Sequence, residues 1–359
     1  MKDELAKTWV KRCMFCGQAF SGQKKNFEHI IPRWLTEEAD LRKREMKVIL
    51  PGIERDVGMG RIGMKVCETC NSERANLEAD AKAVFISLKS GYALQDPEVR
   101  ILLDWLDKIR VGLWLWLVEN TKDSFGTQPK FWINQRIAYK DRVVLIKRYP
   151  HGTQMRGLAF WGLGTYFIGL PSALGLLINN IALVSISADF FVTRHIRDVR
   201  VRMTYGADQT DKFQILPGHS EEPRYQILGA PSIFGQCIAP TGVLTELNIP
   251  ILSRSPIHNG LSESPIIGLD NRLREVPSAP ASIDTFEGNI LANTTLMDLN
   301  TVGATSYLLQ MLSGAAAGEA EPLQRARLAS HTENASAFAR VHLALLKEQY
   351  FRATGLRLP

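Results

Sequence analysis

The sequence predicts an α+β fold in three parts: an N-terminal module over residues 1–92, a larger β-rich α+β domain over 93–250, and a connector with C-terminal helices over 251–359. Three observations predict this division. Two C-x-x-C pairs lie in the first part, and short β-branched and aromatic runs separated by Gly, Pro and Asn fill the second. The third ends in a segment, 319–354, that is rich in Ala, Leu, Arg and Glu.

Length and composition agree with a chain of more than one core, since 359 residues with 45% hydrophobic content exceed one small domain. The N-terminus lacks the apolar segment of a secretory signal, so we expect a cytoplasmic protein. Residues 157–188 contain no charge and are long enough to span a bilayer. Because Gly, Pro171 and the pair Asn179-Asn180 divide this segment into strand-sized pieces, we expect buried β structure and no membrane partner.

Four of the five cysteines form the pairs Cys13-Met-Phe-Cys16 and Cys67-Glu-Thr-Cys70. In an intracellular chain, two such pairs about fifty residues apart favour one tetrahedral zinc site over disulfides. Gly17 directly after the first pair suits the tight turn of a zinc knuckle. The alternative is two unrelated pairs or a redox C-x-x-C. Four thiolates would close the site to water, so we expect the zinc to be structural.

Between the pairs stands the stretch FEHIIPRWL, residues 27–35, and Asn71 follows the last cysteine directly. The constellation C-x-x-C, E-H-I-I-P, C-x-x-C-N resembles the HNH endonuclease family, in the subgroup with a four-cysteine zinc knuckle. The resemblance covers roughly residues 10–90, about a quarter of the chain. It implies a ββα-metal fold in which a β-hairpin and a helix hold one catalytic metal, and it implies DNA as the partner.

The resemblance implies that His29 is the general base, a role that a neutral imidazole can fill near pH 7. Glu28 and His29 are adjacent on an extended segment, so their side chains diverge, and one can hold metal while the other faces the water. Glu28 and the amide oxygen of Asn71 are hard ligands that favour Mg²⁺ or Mn²⁺ as the catalytic ion. Many relatives carry aspartate at the position of Glu28.

After Asn71 the sequence predicts a helix, since Leu77, Ala81, Val84, Phe85 and Leu88 form one apolar stripe. Asn71, Arg74 and Glu78 share a neighbouring face. Glu78 is therefore a candidate third metal ligand, and the equal alternative is an ion pair with Arg74 on the helix surface. A second helix is predicted over 97–118, with its three tryptophans as packing residues.

The net charge is unevenly distributed, being +9 over the first 200 residues and −3 over the rest, which gives +6 in total. A basic stripe interleaved with aromatic residues falls within 130–156. It suits a phosphate backbone, although a solvated hairpin face is an equal reading. Its candidate nucleic-acid-binding residues are Lys130, Arg136, Lys140, Arg142, Lys147 and Arg148.

These observations predict a metal-dependent HNH endonuclease acting on DNA, of the kind found in bacterial or phage defence and in mobile elements. Two alternatives remain open: a non-catalytic zinc module that binds nucleic acid or protein, and a ribonuclease with the same site. One HNH site cuts one strand, so a double-strand break needs two sites or two visits. A homodimer partner is consistent with that chemistry.

Overall fold

The structure is a computed structural model, and it describes a defined set of segments of the chain. These are residues 11–22, 24–41, 45–50, 53–120, 132–134, 142–150, 156–163, 167, 171–187, 199–205, 211–217, 228–229, 231–236, 267–269, 273–275, 287–317 and 322–358. Helices and strands occur throughout these segments, so the predicted α+β class is confirmed.

The N-terminal part is built on an antiparallel strand pair followed by a helix. Strand β1 (Lys25–His29) pairs with β4 (Gly63–Cys67), with His29 opposite Gly63. Helix α1 (Arg33–Glu38) starts at Pro32, whose fixed φ of −68° ends the extended segment. Helix α2 (Glu68–Ser90) begins one residue after β4 ends, so the second cysteine pair lies across the junction.

A second hairpin fills the segment between β1 and β4. Its strands are β2 (Glu45–Leu50) and β3 (Ile53–Gly58), and a 3₁₀ turn (Met59–Arg61) leads into β4. The sequence TEEADLRKREM at 36–46 reads as a short charged helix, but α1 ends at Glu38 and a strand already begins at Glu45. Cross-strand pairing therefore overrides local helix propensity here.

Helix α2 buries the predicted stripe, including Ala81, Val84, Phe85 and Leu88. It ends at Gly91, whose φ of +81° allows its N–H to donate to the carbonyl of Leu88 at 3.1 Å. The next helix, α3 (Asp96–Asn120), is buried along most of its length. Its tryptophans are packing residues as predicted, since they are buried at positions 105, 114 and 116.

A seven-stranded antiparallel sheet forms the second part of the fold, in the order β13-β12-β11-β5-β8-β7-β6. Its strands are β5 (Arg142–Arg148), β6 (Leu158–Trp161), β7 (Ala173–Ile178), β8 (Ile181–Ile186), β11 (Ser232–Gln236), β12 (Ile267–Leu269) and β13 (Leu273–Glu275). Strands β9 (Val199–Tyr205) and β10 (Asp211–Pro217) form a separate hairpin.

The charge-free segment 157–188 supplies three strands of this sheet, β6, β7 and β8. Strands β7 and β8 are joined at Asn179, which has a φ of +50°. Buried β structure is thus confirmed for β7 and β8, while the edge strand β6 is only partly buried. None of the helices in the described segments combines the length and apolar character that a bilayer crossing requires.

Two long helices close the described chain, α4 (Ile290–Ala317) and α5 (Pro322–Thr354), and they pack against each other. Helix α5 matches the predicted terminal segment. Helix α4 was not predicted from the sequence, because its small and apolar residues give no clear amphipathic period. The connector predicted at the start of the third part, which is rich in Pro and Ser over 248–282, lies outside the described residues, apart from β12 and β13.

One hydrophobic core continues from the N-terminal part into the sheet. Helix α3 makes this connection, because it contacts α2 and β4 on one side and β5 and β8 on the other. Its Gly112 lets Ile30 approach closely, since a Cβ there would lie 3.1 Å from two carbons of that side chain. The helix after residue 92 is thus in contact with the elements that carry the motif residues.

Candidate functional site

The four cysteines of the two pairs converge, and their Sγ atoms all lie within 4.8 Å of one another. Cys13 and Cys16 occupy a tight turn before β1, which Gly17 completes with a φ of +73°. Cys67 is the last residue of β4, and Cys70 lies in the first turn of α2. All four are free thiols. The arrangement could hold a metal such as zinc, because four sulfur ligands that converge on one point suit a tetrahedral site.

Burial and hydrogen bonds shift the pKa values of three of these thiols, and not all in the same direction. The backbone N–H of Cys67 donates to Cys13 Sγ at 3.4 Å, and Asn134 Nδ2 lies 3.9 Å from Cys70 Sγ. Burial raises the pKa of the Cys13 and Cys70 thiols. Burial acts in the same direction on Cys67, but hydrogen bonds from the backbone and side chain of Cys70 lower its pKa overall. Metal binding would therefore displace protons from buried thiols.

A short segment from outside the N-terminal part braces the first cysteine turn. The N–H of Ile133 donates to Met14 O at 3.2 Å, and the N–H of Asn134 donates to Phe15 O at 3.0 Å. The indole of Trp132 covers Gly17. Sequence reasoning missed this brace because nothing in 132–134 resembles a metal-binding motif.

Glu28 and His29 point to opposite faces of β1, as alternation along a strand requires. Glu28 is partly buried and faces inward. His29 is exposed and shares its face with Lys25 and Phe27, and its ring contacts Phe27 edge-on at 5.2 Å between centroids. The imidazole is accessible to solvent, and the carboxylate faces the helices.

A buried lysine of α3 bridges the carboxylates of Glu28 and Glu78. Lys108 Nζ donates to Oε1 of both glutamates. The lysine side chain is 0% exposed, while the two glutamates are 21% and 19% exposed. Trp34 Nε1 donates to the other oxygen of Glu78 at 3.0 Å. Sequence reasoning missed Lys108, because it stands in a helix that reads as core.

The contacts of Glu78 match neither of its two predicted roles, metal ligand or partner of Arg74. The ion pair with Arg74 is absent from the described contacts, since Arg74 Nε donates to Asn134 Oδ1 at 3.2 Å. Both oxygens of Glu78 already accept hydrogen bonds, from Lys108 and Trp34. The geometry therefore corrects both expectations: Glu78 holds the ammonium group rather than a metal or the arginine.

Glu28 and Asn71 fit the predicted catalytic divalent metal by the chemistry of their donors. Glu28 accepts from Lys108 with one oxygen only, and Asn71, the fourth residue of α2, is partly buried; neither makes another hydrogen bond with the described parts of the chain. An uncommitted carboxylate oxygen and an uncommitted amide oxygen suit Mg²⁺ or Mn²⁺. Among the described residues, only the cysteines bring three or more His, Cys, Asp or Glu side chains close enough to share an ion.

Two of the three candidate residues of the basic stripe that the structure describes are buried. Arg142 and Lys147 are buried, so the expectation that they contact a phosphate backbone is wrong for both. Arg142 donates to Asp104 and, at 2.8 Å, to Gln236, which fixes β5 to α3 and β11. Arg148 is partly exposed, while Lys130, Arg136 and Lys140 lie outside the described residues.

Comparison of the chain with protein-family models, with curated proteins and with solved structures finds no match.

Proposed function

We propose that the protein is a metal-dependent endonuclease of the HNH type. One observation carries the proposal. Strand β1 presents Glu28 and His29, and its antiparallel partner β4 runs directly into α2, which bears Asn71 beside the clustered cysteines. One strand pair and the helix that follows it thus carry Glu28, His29 and Asn71, while the first cysteine pair lies in the turn before β1.

The proposed chemistry is hydrolysis of a phosphodiester bond. His29, exposed on the outer face of β1, takes a proton from the attacking water through its neutral imidazole. Glu28 and Asn71 would hold Mg²⁺ or Mn²⁺ through oxygen atoms. When bound, this ion would stabilise charge on the scissile phosphate and on the leaving oxygen. The four cysteines would hold a structural Zn²⁺ that fixes β4 and α2 relative to the turn before β1.

The proposed substrate is DNA, in keeping with the family that the motifs resemble. A backbone-directed metal site also tolerates RNA, so a ribonuclease is the neighbouring outcome. A role in bacterial or phage defence or in a mobile element, a cytoplasmic location and a homodimer that cuts both strands belong to the same proposal. Two C-x-x-C pairs that could share one metal are consistent with a reducing compartment.

Cleavage of supercoiled plasmid and of a labelled RNA tests the proposal, with Mg²⁺, Mn²⁺ or EDTA present. We expect metal-dependent cleavage by the wild type and a loss of roughly 10²-fold or more in His29→Ala, because the general base is removed. Asn71→Ala is expected to lose cleavage activity, because it removes a proposed ligand of the catalytic metal. Asn76→Ala is its matched control, since Asn76 is an exposed asparagine of the same helix.

Zinc content and circular dichroism establish that each variant folds as the wild type does. Equal cleavage by wild type and His29→Ala would identify a contaminating nuclease or another site. Cleavage of RNA alone would move the substrate to RNA while retaining the roles of His29, Glu28 and Asn71.

The second candidate is a non-catalytic zinc module that binds nucleic acid or protein. The ammonium of Lys108 favours it, because one cation already pairs with both Glu28 and Glu78, as in a purely structural network. This function requires zinc but no second metal. A protein with one tightly bound zinc, no Mn²⁺ binding and no cleavage of DNA or RNA would support it.

A further inference from the structure

The ammonium of Lys108 lies between two carboxylates of the candidate site, although it comes from a helix outside the motif region. Its partners are Glu28 on β1 and Glu78 on α2. A fully buried lysine is costly unless it is paired, and here both carboxylates compensate it. Two carboxylates and one ammonium leave this cluster with a net charge of −1.

The position of Lys108 is fixed from the opposite side of α3. Its neighbour Asp107 is buried and accepts from Arg110 at 2.5 Å and from Arg142 at 3.4 Å. Arg110 also donates to the carbonyl of Pro171, which precedes the sheet strand β7. The sheet thereby holds the helix in register, and the helix delivers the ammonium to the site.

The three groups divide their hydrogen-bonding capacity unequally. Glu78 accepts with both oxygens, from Lys108 and from Trp34. Glu28 accepts with one oxygen and keeps the other without a hydrogen bond within the described segments. Glu78 is thus restrained at both oxygens, by Lys108 and Trp34, whereas Glu28 is restrained at one oxygen only.

We propose that Lys108 is a positioning residue that reserves Glu78 for its own ammonium and leaves the second oxygen of Glu28 to the divalent metal. The inference rests on the proposed function for the identity of that metal site. Without the ammonium, a divalent ion would be drawn between the two carboxylates, which is a displaced and tighter site. A displaced ion would no longer lie beside Asn71 and the reacting phosphate.

The test is Mn²⁺ binding to zinc-loaded protein, followed by electron paramagnetic resonance, together with single-turnover cleavage. We expect Lys108→Met to bind Mn²⁺ roughly tenfold more tightly, because a competing cation is gone. We expect its cleavage rate at saturating Mn²⁺ to fall by about 10²-fold, because the ion is displaced. A merely structural lysine would instead lose both binding and cleavage together.

The double variant Lys108→Met/Glu78→Gln removes the competing carboxylate as well. It is expected to return Mn²⁺ affinity toward that of the wild type and to recover part of the cleavage rate. Because it removes one charge of each sign, it keeps the buried cluster folded even where Lys108→Met is unstable. Compared with Glu78→Gln alone, it is still expected to bind Mn²⁺ more tightly, since Glu28 is released from the ammonium.

The role of Lys108 is overturned if neither lysine variant binds Mn²⁺ more tightly than its reference. The reference is the wild type for Lys108→Met and Glu78→Gln for the double variant. This result is distinct from failure of the nuclease proposal. A wild type that binds Mn²⁺ without cleaving nucleic acid refutes the nuclease, and the affinity comparison still decides the role of Lys108. A wild type that binds no Mn²⁺ refutes the metal site and the role of Lys108 together.

Discussion

The indole of Trp132 lies directly over Gly17, so close that a Cβ on the glycine would sit 2.0 Å from the indole Nε1. Gly17 also has a φ of +73°, which L side chains adopt only with strain. These two constraints coincide at the turn that carries Cys13 and Cys16. The turn and its brace therefore depend on each other.

Gly17→Ala is expected to destabilise the protein by about 2 to 4 kcal/mol, since it combines backbone strain with overlap against the indole. Gly22→Ala is the matched control, because Gly22 has a φ of +72° with no atom within 4 Å of the added Cβ. It should lose only about 1 kcal/mol. Thermal unfolding and zinc content measure both, and equal losses would show that the indole contact contributes nothing.

Removal of one cysteine ligand is expected to abolish stoichiometric zinc binding. Cys70→Ser should lose the metal and the near-ultraviolet signal of Trp132, because Asn134 and the first turn are organised around the four sulfurs. Cys237→Ser is the control, as this cysteine belongs to neither pair. Loss of zinc in both variants, measured by elemental analysis, would contradict a site made by the four paired cysteines.

Arg142 is expected to be required for stability rather than for nucleic-acid binding. Arg142→Met leaves the partly buried Asp104 and the buried Asp107 without their shared cation, at a cost of about 3 to 5 kcal/mol. Arg156→Met, at an exposed position nearby in sequence, should change stability little. Denaturant unfolding compares the two. A stable Arg142→Met protein with weakened DNA binding would restore the surface role predicted from the sequence.

The sequence was sufficient for the features that depend on local spacing. The stripe of α2 and the buried character of α3 are each set by residues within a few turns of one another, and each cysteine pair is set by its own C-x-x-C spacing. The prediction that Arg142 and Lys147 contact a phosphate backbone was wrong because charge alone does not reveal burial. Arg142 is buried only because Asp104 and Gln236 reach it from other elements.

Lys108 shows why part of the site was beyond prediction. It meets Glu28 and Glu78 across sequence separations of 80 and 30 residues. In the sequence it is the one lysine of a core helix, and it follows Asp107, so an exposed position is the ordinary expectation. Only the packing of α3 between the sheet and α2 brings it to the carboxylates.

Asp298 on α4 is expected to make stability depend on pH. Burial raises its pKa from 3.8 to about 6, although the N–H of Gly162, which donates to Oδ1 at 3.1 Å, acts to lower it. The folded protein thus binds this proton more tightly than the unfolded chain does. The stabilisation of the folded state by this bound proton is fully present below about pH 4 and is lost as the pH rises through about 6.

Asp298→Asn should therefore raise the unfolding free energy at pH 7 by about 1 to 2 kcal/mol. This is less than the roughly 3 kcal/mol that the whole pKa difference represents, because the residue is only partly buried. The gain should vanish near pH 4. Asp80→Asn, at an exposed position of α2, is the control and should show no such pH dependence. A gain that is equal at pH 4 and pH 7 would contradict the assignment.

The outer face of β1 is expected to contact substrate beside His29. Phe27 is 50% exposed, its ring edge contacts His29, and Lys65 stands opposite it on β4. Gly63 allows this placement, since a Cβ there would lie 2.6 Å from the Phe27 ring. An exposed aromatic side chain beside a lysine suits stacking on an unpaired base.

Phe27→Ala, in a His29→Ala background that prevents cleavage, should weaken binding of single-stranded DNA by about 5- to 100-fold, as the loss of one stacked base predicts. Binding of fully paired duplex should change much less, because its bases are already stacked on one another. Tyr92→Ala is the matched control, since Tyr92 is 68% exposed but lies beyond the opposite end of α2 from Asn71. Fluorescence anisotropy at fixed salt measures all of these affinities. Equal weakening by Phe27→Ala and Tyr92→Ala, or none by either, would remove Phe27 from the substrate path and leave His29 as the one motif residue on that face.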